Sequence, residues 1–257
     1  MIIPHESSHF LKNRNFIPIA TRTKFLLSSS DAMSLTKALS KDSEGYLYNG
    51  ILSIGTGIQS ILNKNYGWAT VKFYYSVFYL ARANLGVNNI CLVYDGSKPF
   101  SIISKQGEQL QKRKGTTHKL VLDQFKQNLS AHIMLGNDID GQCPLKWLME
   151  QRELMNYRSA VMPDPNVPKQ YEEIINSNKK IRQWLNIYLS DNIEVYTFDE
   201  EHACLAYPFK FLIHTIEMFK NNSMTCRYLR ENARFIKSLF SDKSGSFDFI
   251  LKRIKDI

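Results

Sequence analysis

The chain has 257 residues, of which 44% are hydrophobic and 22% charged, with a net charge of +9 and a pI near 9.3. That length allows one large domain or two small ones with a sizeable core, and the composition is that of an ordinary globular protein. The basic balance suits nucleic acid, an anionic membrane surface or an acidic partner.

Residues 1–24 read as extended and irregular, with Pro4 and Pro18 breaking any helix. The opening MIIPHESSHFLKNRNF has no apolar core of secretory type. Ser28-Ser29-Ser30-Asp31 is an N-cap signal for a helix of about ten residues. From Tyr46 to Asn63, Leu47, Ile51, Ile54, Ile58, Ile61 and Leu62 recur at helical spacing. Gly50, Gly55 and Gly57 inside that run point to close helix packing or a kink, not to a dinucleotide fingerprint.

The stretch 66–85 is dense in aromatics and predicts a buried helix. Lys72 and Arg82 within it argue against a membrane span. ICLVYDGSKPFSII at 90–103 predicts a short β-hairpin turning at Asp95-Gly96. KQGEQLQKRKG reads as an exposed basic loop or short helix. Thr116-Thr117 cap a helix to about Ser130, and Pro144 opens another to about Arg158. After the turn MPDPNVP, Pro168 starts a long helix through Leu189. IEVYTF near 193–198 reads as one strand. Helices follow at about 199–220, 224–240 and 246–256.

Cys91, Cys143, Cys204 and Cys226 are far apart. Without CxxC or CxxH spacing they do not suggest zinc, and reduced thiols in the cytoplasm are expected. P-loop, GxSxG and HExxH patterns are missing, and no carboxylate pair has metal-like spacing, so neither metal nor cofactor is expected.

Three constellations remain. Arg113 and His118 stand five apart, flanked by Lys112 and Lys114. A guanidinium can hold phosphate while an imidazole moves a 2′-hydroxyl proton. The plain alternative is a loop arginine and a capping-region histidine. Arg152, Asn156, Tyr157 and Arg158 form R-x3-N-Y-R, in which 152 and 156 are helical neighbours that could grip phosphate or a base edge. Arg152 could equally pair with a carboxylate and orient a bundle. Arg227, Arg230, Arg234 and Lys237 make a basic helical stripe beside Leu229, Ala233, Ile236 and Phe240, suited to an acidic partner or nucleic acid, or simply solvated. Lys72, Tyr74, Tyr75 and Tyr79 could stack bases but also fit a tyrosine-rich core.

Together, the Tyr74-Tyr75 helix continuing to Ala81-Arg82-Ala83-Asn84-Leu85, Thr117-His118 with Phe125, and Arg152 followed by Asn156-Tyr157 resemble HEPN-superfamily helical proteins of bacteria. The similarity covers about residues 45–190. The resemblance implies a four- to five-helix bundle, often dimeric, used in toxin–antitoxin and anti-phage systems. Its active members are metal-independent ribonucleases with R-x4-6-H inside a helix. Here Arg113 and His118 straddle a loop, the Arg152 helix holds no histidine, and Asn156 stands where Asp is common.

The expectation is an all-α, HEPN-like bundle in a single helical domain, with a β-hairpin insertion and a C-terminal helical extension at about 191–257. One reading is a cytoplasmic defence or toxin-type protein engaging RNA. If it cuts, Arg113, Arg152 and His118 form the site, with Lys112, Lys114, Asn156, Tyr157 and Arg158 binding nucleic acid. The other is a non-catalytic subunit docking on a larger nuclease or ATPase through Arg227, Arg230, Arg234 and Lys237. A homodimer stays open, and no membrane partner is expected.

Overall fold

A computed structural model describes residues 5–14, 26–158 and 160–255. Of the extended, irregular run expected over residues 1–24, Pro4 and Pro18 lie outside the described residues, but Glu6–Asn13 is helical and corrects the expectation there. The chain is predominantly helical, with two small antiparallel sheets. It divides into two compact units: residues 1–46 with 81–130, and residues 47–80 with 131–257.

In the first unit, α1 (Glu6–Asn13) is capped from a distance. Its own His5 provides no side-chain cap. Instead Asp42 accepts the Glu6 and Ser7 amides at 2.8 and 3.0 Å. A carboxylate there satisfies donors that a helix start leaves open and complements the dipole. α2 (Ser29–Leu62) begins where Ser28 Oγ accepts the Asp31 amide at 3.1 Å. It does not stop after ten residues. No proline interrupts it, and apolar side chains recur from Leu35 to Ile61, so one helix about 50 Å long results. α3 (Tyr66–Val87) follows. The division between units crosses both helices.

The hairpin forms as expected: β1 (Ile90–Asp95) pairs with β2 (Lys98–Ile103), with Gly96 at a positive φ of 57° in the turn. A third strand, β3 (Gln111–Lys112), adds to β2 out of the segment expected as a loop or short helix. Leu11, Leu35, Leu39, Val93, Phe100 and Ile102 make one buried cluster. α4 (Thr117–Asn128) closes the unit, with the Thr116 side chain accepting the Lys119 amide.

The second unit contains α5 (Pro144–Glu153), α6 (Glu172–Asn176), α7 (Ile181–Ser190), α8 (Val195–Phe198), α9 (Ala203–Asn221), α10 (Arg227–Glu231), α11 (Ala233–Leu239) and α12 (Asp248–Lys255). Between the last two, β4 (Ser241–Asp242) and β5 (Gly245–Ser246) form a minimal hairpin from the SDKSGS segment. α9 is buried on nearly every side, as a helix apolar all round must be. It packs on α7, α8 and α12.

Three local expectations are corrected. The long helix from Pro168 breaks between α6 and α7, because the Trp184 indole donates to Ser177 Oγ at 3.0 Å and holds the break. IEVYTF forms α8 and not a strand: Glu194 adopts φ 59°, and Asp191 accepts the Tyr196 amide at 2.9 Å. The 224–240 helix divides at Asn232, whose side-chain amide donates to the Tyr228 carbonyl at 2.9 Å.

The glycines of α2 mark close packing. A Cβ on Gly57 would lie 2.6 Å from the Phe73 ring, and one on Gly55 2.8 Å from Leu239 Cβ. Among the described residues, no helix is long and apolar enough to cross a membrane.

Candidate RNA-binding site

α3 has two characters within the second unit. Phe73, Tyr74 and Val77 are buried. Positions 68, 72, 75 and 79 fall within a narrow arc of the opposite side, at spacings of four, three and four. There Trp68 and Lys72 are exposed while Tyr75 and Tyr79 are half-buried. The Tyr75 and Tyr79 rings lie 6.3 Å apart, tilted by 32°. The helix start is capped by Asp164, whose Oδ1 accepts the Tyr66 and Gly67 amides. The turn MPDPNVP therefore anchors α3.

α5 supplies Arg152, and a single π turn over Leu154–Arg158 follows directly. In an α-helix, residues five apart point about 140° away from each other. The wider i→i+5 turn brings them back toward one side. Two pairs use this: Arg152 with Tyr157, and Glu153 with Arg158, an ion pair at 3.2 Å. The expected partnership of Arg152 with Asn156 is not the one formed. Asn156 is half-buried in the same turn.

The Arg152 guanidinium carbon lies 5.1 Å from the Tyr157 ring centre, 5.5 Å from Tyr74 and 6.0 Å from Tyr75. Among the described residues no carboxylate pairs with it, and its buried Nε has no hydrogen-bond partner. Among the described residues the only hydrogen bond to its side chain is a long 3.4 Å contact with the Tyr157 hydroxyl. Ring faces offset the loss of water around a cation, yet they supply no acceptor for its N–H groups. Burial pushes the Tyr74 hydroxyl well above its ordinary pKa, with the Arg152 charge opposing, so this wall stays neutral. Tyr157 is 71% exposed and forms the outer wall. The result is a permanent cation, half-buried and held by aromatic rings that give its N–H groups no acceptor.

Arg113 and His118 belong to the first unit, Arg152 to the second. Arg113 follows β3 and is committed to the sheet: its Nε donates to Ser101 Oγ and an Nη to Gln111 Oε1, both at 2.7 Å. Neither contact is with His118. Gly115, at φ 108°, turns the chain between them, and His118 takes the second position of α4. Lys112 and Lys114 are exposed beside Arg113. In the C-terminal stripe, Arg227 is taken up by Glu231 at 2.6 Å. Arg230, Arg234 and Lys237 have no ion-pair partner among the described residues.

One polar cluster escaped the sequence reading. Glu194 accepts from Lys210 Nζ at 3.0 Å, from His214 Nε2 at 3.1 Å and from Thr197 Oγ1 at 2.7 Å. Burial alone would raise its pKa, but these three donors override it and hold the carboxyl at about 2. Lys210 also donates to the Asp191 carbonyl at 2.8 Å. Every polar atom has a partner, so the cluster reads as a buried brace for α8 and α9. A lysine amid the apolar run ACLAYPFKFLIHTI was its one visible signal. Among the described residues, no group of three His, Cys, Asp or Glu side chains is placed to hold a metal ion.

Compared with known proteins, the chain matches no family model, no curated sequence and no solved structure.

Proposed function

We propose that this protein binds single-stranded RNA on the face of the second unit built from α3 and the π turn after α5, as a defence or toxin-type component of the kind its HEPN resemblance implies. The observation that supports this best is Arg152: a half-buried guanidinium among three tyrosines, with no carboxylate partner among the described residues. A phosphate oxygen supplies an acceptor that the rings lack, and planar forked donors suit it better than a point charge. Tyr157, Trp68 and the Tyr75–Tyr79 pair offer ring faces on which bases of any sequence can stack. Lys72 and the net charge of +9 add the backbone attraction. Binding needs nothing from Arg113, two of whose donors serve the sheet. Cleavage would need Arg113 and His118 to act on one phosphate, and would show as RNA fragmentation that the double variant Arg113→Ala, His118→Ala abolishes.

The test is anisotropy of a labelled oligouridine at low salt, with circular dichroism to confirm folding. Arg152→Ala is expected to weaken binding about tenfold or more, and Arg152→Lys to restore only part of it. Tyr157→Ala is expected to cost about 1–3 kcal/mol of binding, the range for one stacked base. Wild-type affinity in folded Arg152→Ala would overturn the reading, as would no binding by the wild type at low salt.

A further inference from the structure

A different part of the second unit carries a separate feature. Between α10–α11 and α12 lies a groove of about 490 Å³. Its floor is aliphatic: Leu229, Ala233, Ile236, Leu251 and Ile254. Its rim is cationic: Arg230, Arg234 and Lys237 recur at steps of four and three along one wall, and Lys255 stands on the other. Among the described residues no carboxylate lines the groove, and none of these four cations is ion-paired. The nearby Arg227 and Arg253 are each paired, to Glu231 and Glu217. Neutralisation by neighbours therefore stops at the groove.

We propose that this groove is the docking site for an acidic amphipathic helix of a partner protein. The floor and the rim together select this occupant. An aliphatic floor takes leucine-like side chains at helical spacing, the mode in which a helix beds into a groove. It offers no ring for base stacking, which single-stranded RNA requires of its platform. Four cations spread along two walls, unpaired among the described residues, match several carboxylates in a row, whereas a single-chain amphiphile brings one head group. Charge at the rim sets orientation and association rate, and the apolar floor provides the desolvated centre. This inference does not rest on the RNA reading, because it uses no residue of the Arg152 site.

The experiment uses a labelled helical peptide of about 16 residues, with leucines at positions i, i+4 and i+7 and glutamates flanking them. The full chain is expected to bind it saturably. Binding is expected to fall at least tenfold with Arg234→Glu, Lys237→Glu, both exposed positions that leave the floor intact. A peptide with serine for leucine, or lysine for glutamate, is expected to lose binding, which tests floor and rim without touching the protein's fold. Equal binding by a scrambled peptide of the same composition overturns the proposal, as does no binding by the designed one. Stoichiometric displacement of the peptide by oleate would assign the groove to a lipid, and displacement by oligouridine to RNA; either also overturns it. Arg152→Ala is expected to leave peptide binding unchanged, so failure of one reading is distinguishable from failure of the other.

Discussion

Arg152 is surrounded as it is because of one irregular turn. Its importance as a phosphate candidate was visible in R-x3-N-Y-R, but its partner was not. Periodicity assigns neighbours by the α-helical step, and nothing in LMNYR announces an i→i+5 turn. Distant aspartates share this opacity. Asp42 and Asp164 cap helices that start far from them in sequence, whereas capping signals are read from the immediately preceding residues. Lys210 shows how strongly one such residue can matter. Replacing it with methionine would leave Glu194 buried without its ammonium partner, although His214 and Thr197 remain. The expected loss is about 3–5 kcal/mol, the range for breaking a buried pair, measured as a shift in urea midpoint.

Among the elements, long periodic runs were legible and their interruptions were not. The α3 helix, the Asp95-Gly96 hairpin and the helix opened by Pro144 follow from patterns of apolar residues, turn pairs and caps. The breaks at 177–180 and at Asn232 depend on side chains bonding to carbonyls or hydroxyls across a gap, which no window average contains. β3 is two residues long and exists only because β2 presents an open edge. Packing of α2 against α3 in the second unit rests on Gly57, whose missing side chain admits the Phe73 ring. Gly57→Ala forces that ring to move. Better helix propensity would favour the change by about 1 kcal/mol, while overpacking costs about 1–3 kcal/mol. Net destabilisation with a lower Tm is expected, and Gly45→Ala, where a Cβ meets nothing within 4 Å, is expected to raise it.

For the molecule as a whole, acid should be the effective denaturant. Burial, with a smaller push from His214, lowers the His132 pKa to about 4, so the unfolded chain takes up a proton there before the native one does. Stability from this group is complete above about pH 6.5, its unfolded value, and is lost as pH falls toward 4. Glu194 acts lower: its contribution is present above about pH 4.5 and is lost as pH falls toward 2. Urea midpoints are expected to decline in two stages, each group giving up to about 1.4 kcal/mol per pH unit. His132→Asn should flatten the upper stage and Glu194→Gln the lower. A profile level from pH 7 to 4 in the wild type would contradict the assignment.

The cap on α1 has a bearing on how the chain is made. The ribosome delivers Glu6 to Asn13 well before their partners: the carboxylate that caps their helix lies 35 residues beyond Ser7, and Val93, which shares a buried cluster with Leu11, comes later still. At about 5–20 residues per second, roughly eighty residues take on the order of ten seconds to follow. For that interval this segment has neither its cap nor its full apolar shelter. Its helix waits on residues made well after it, which leaves it open to chaperones and proteases while the rest of its unit is still being translated.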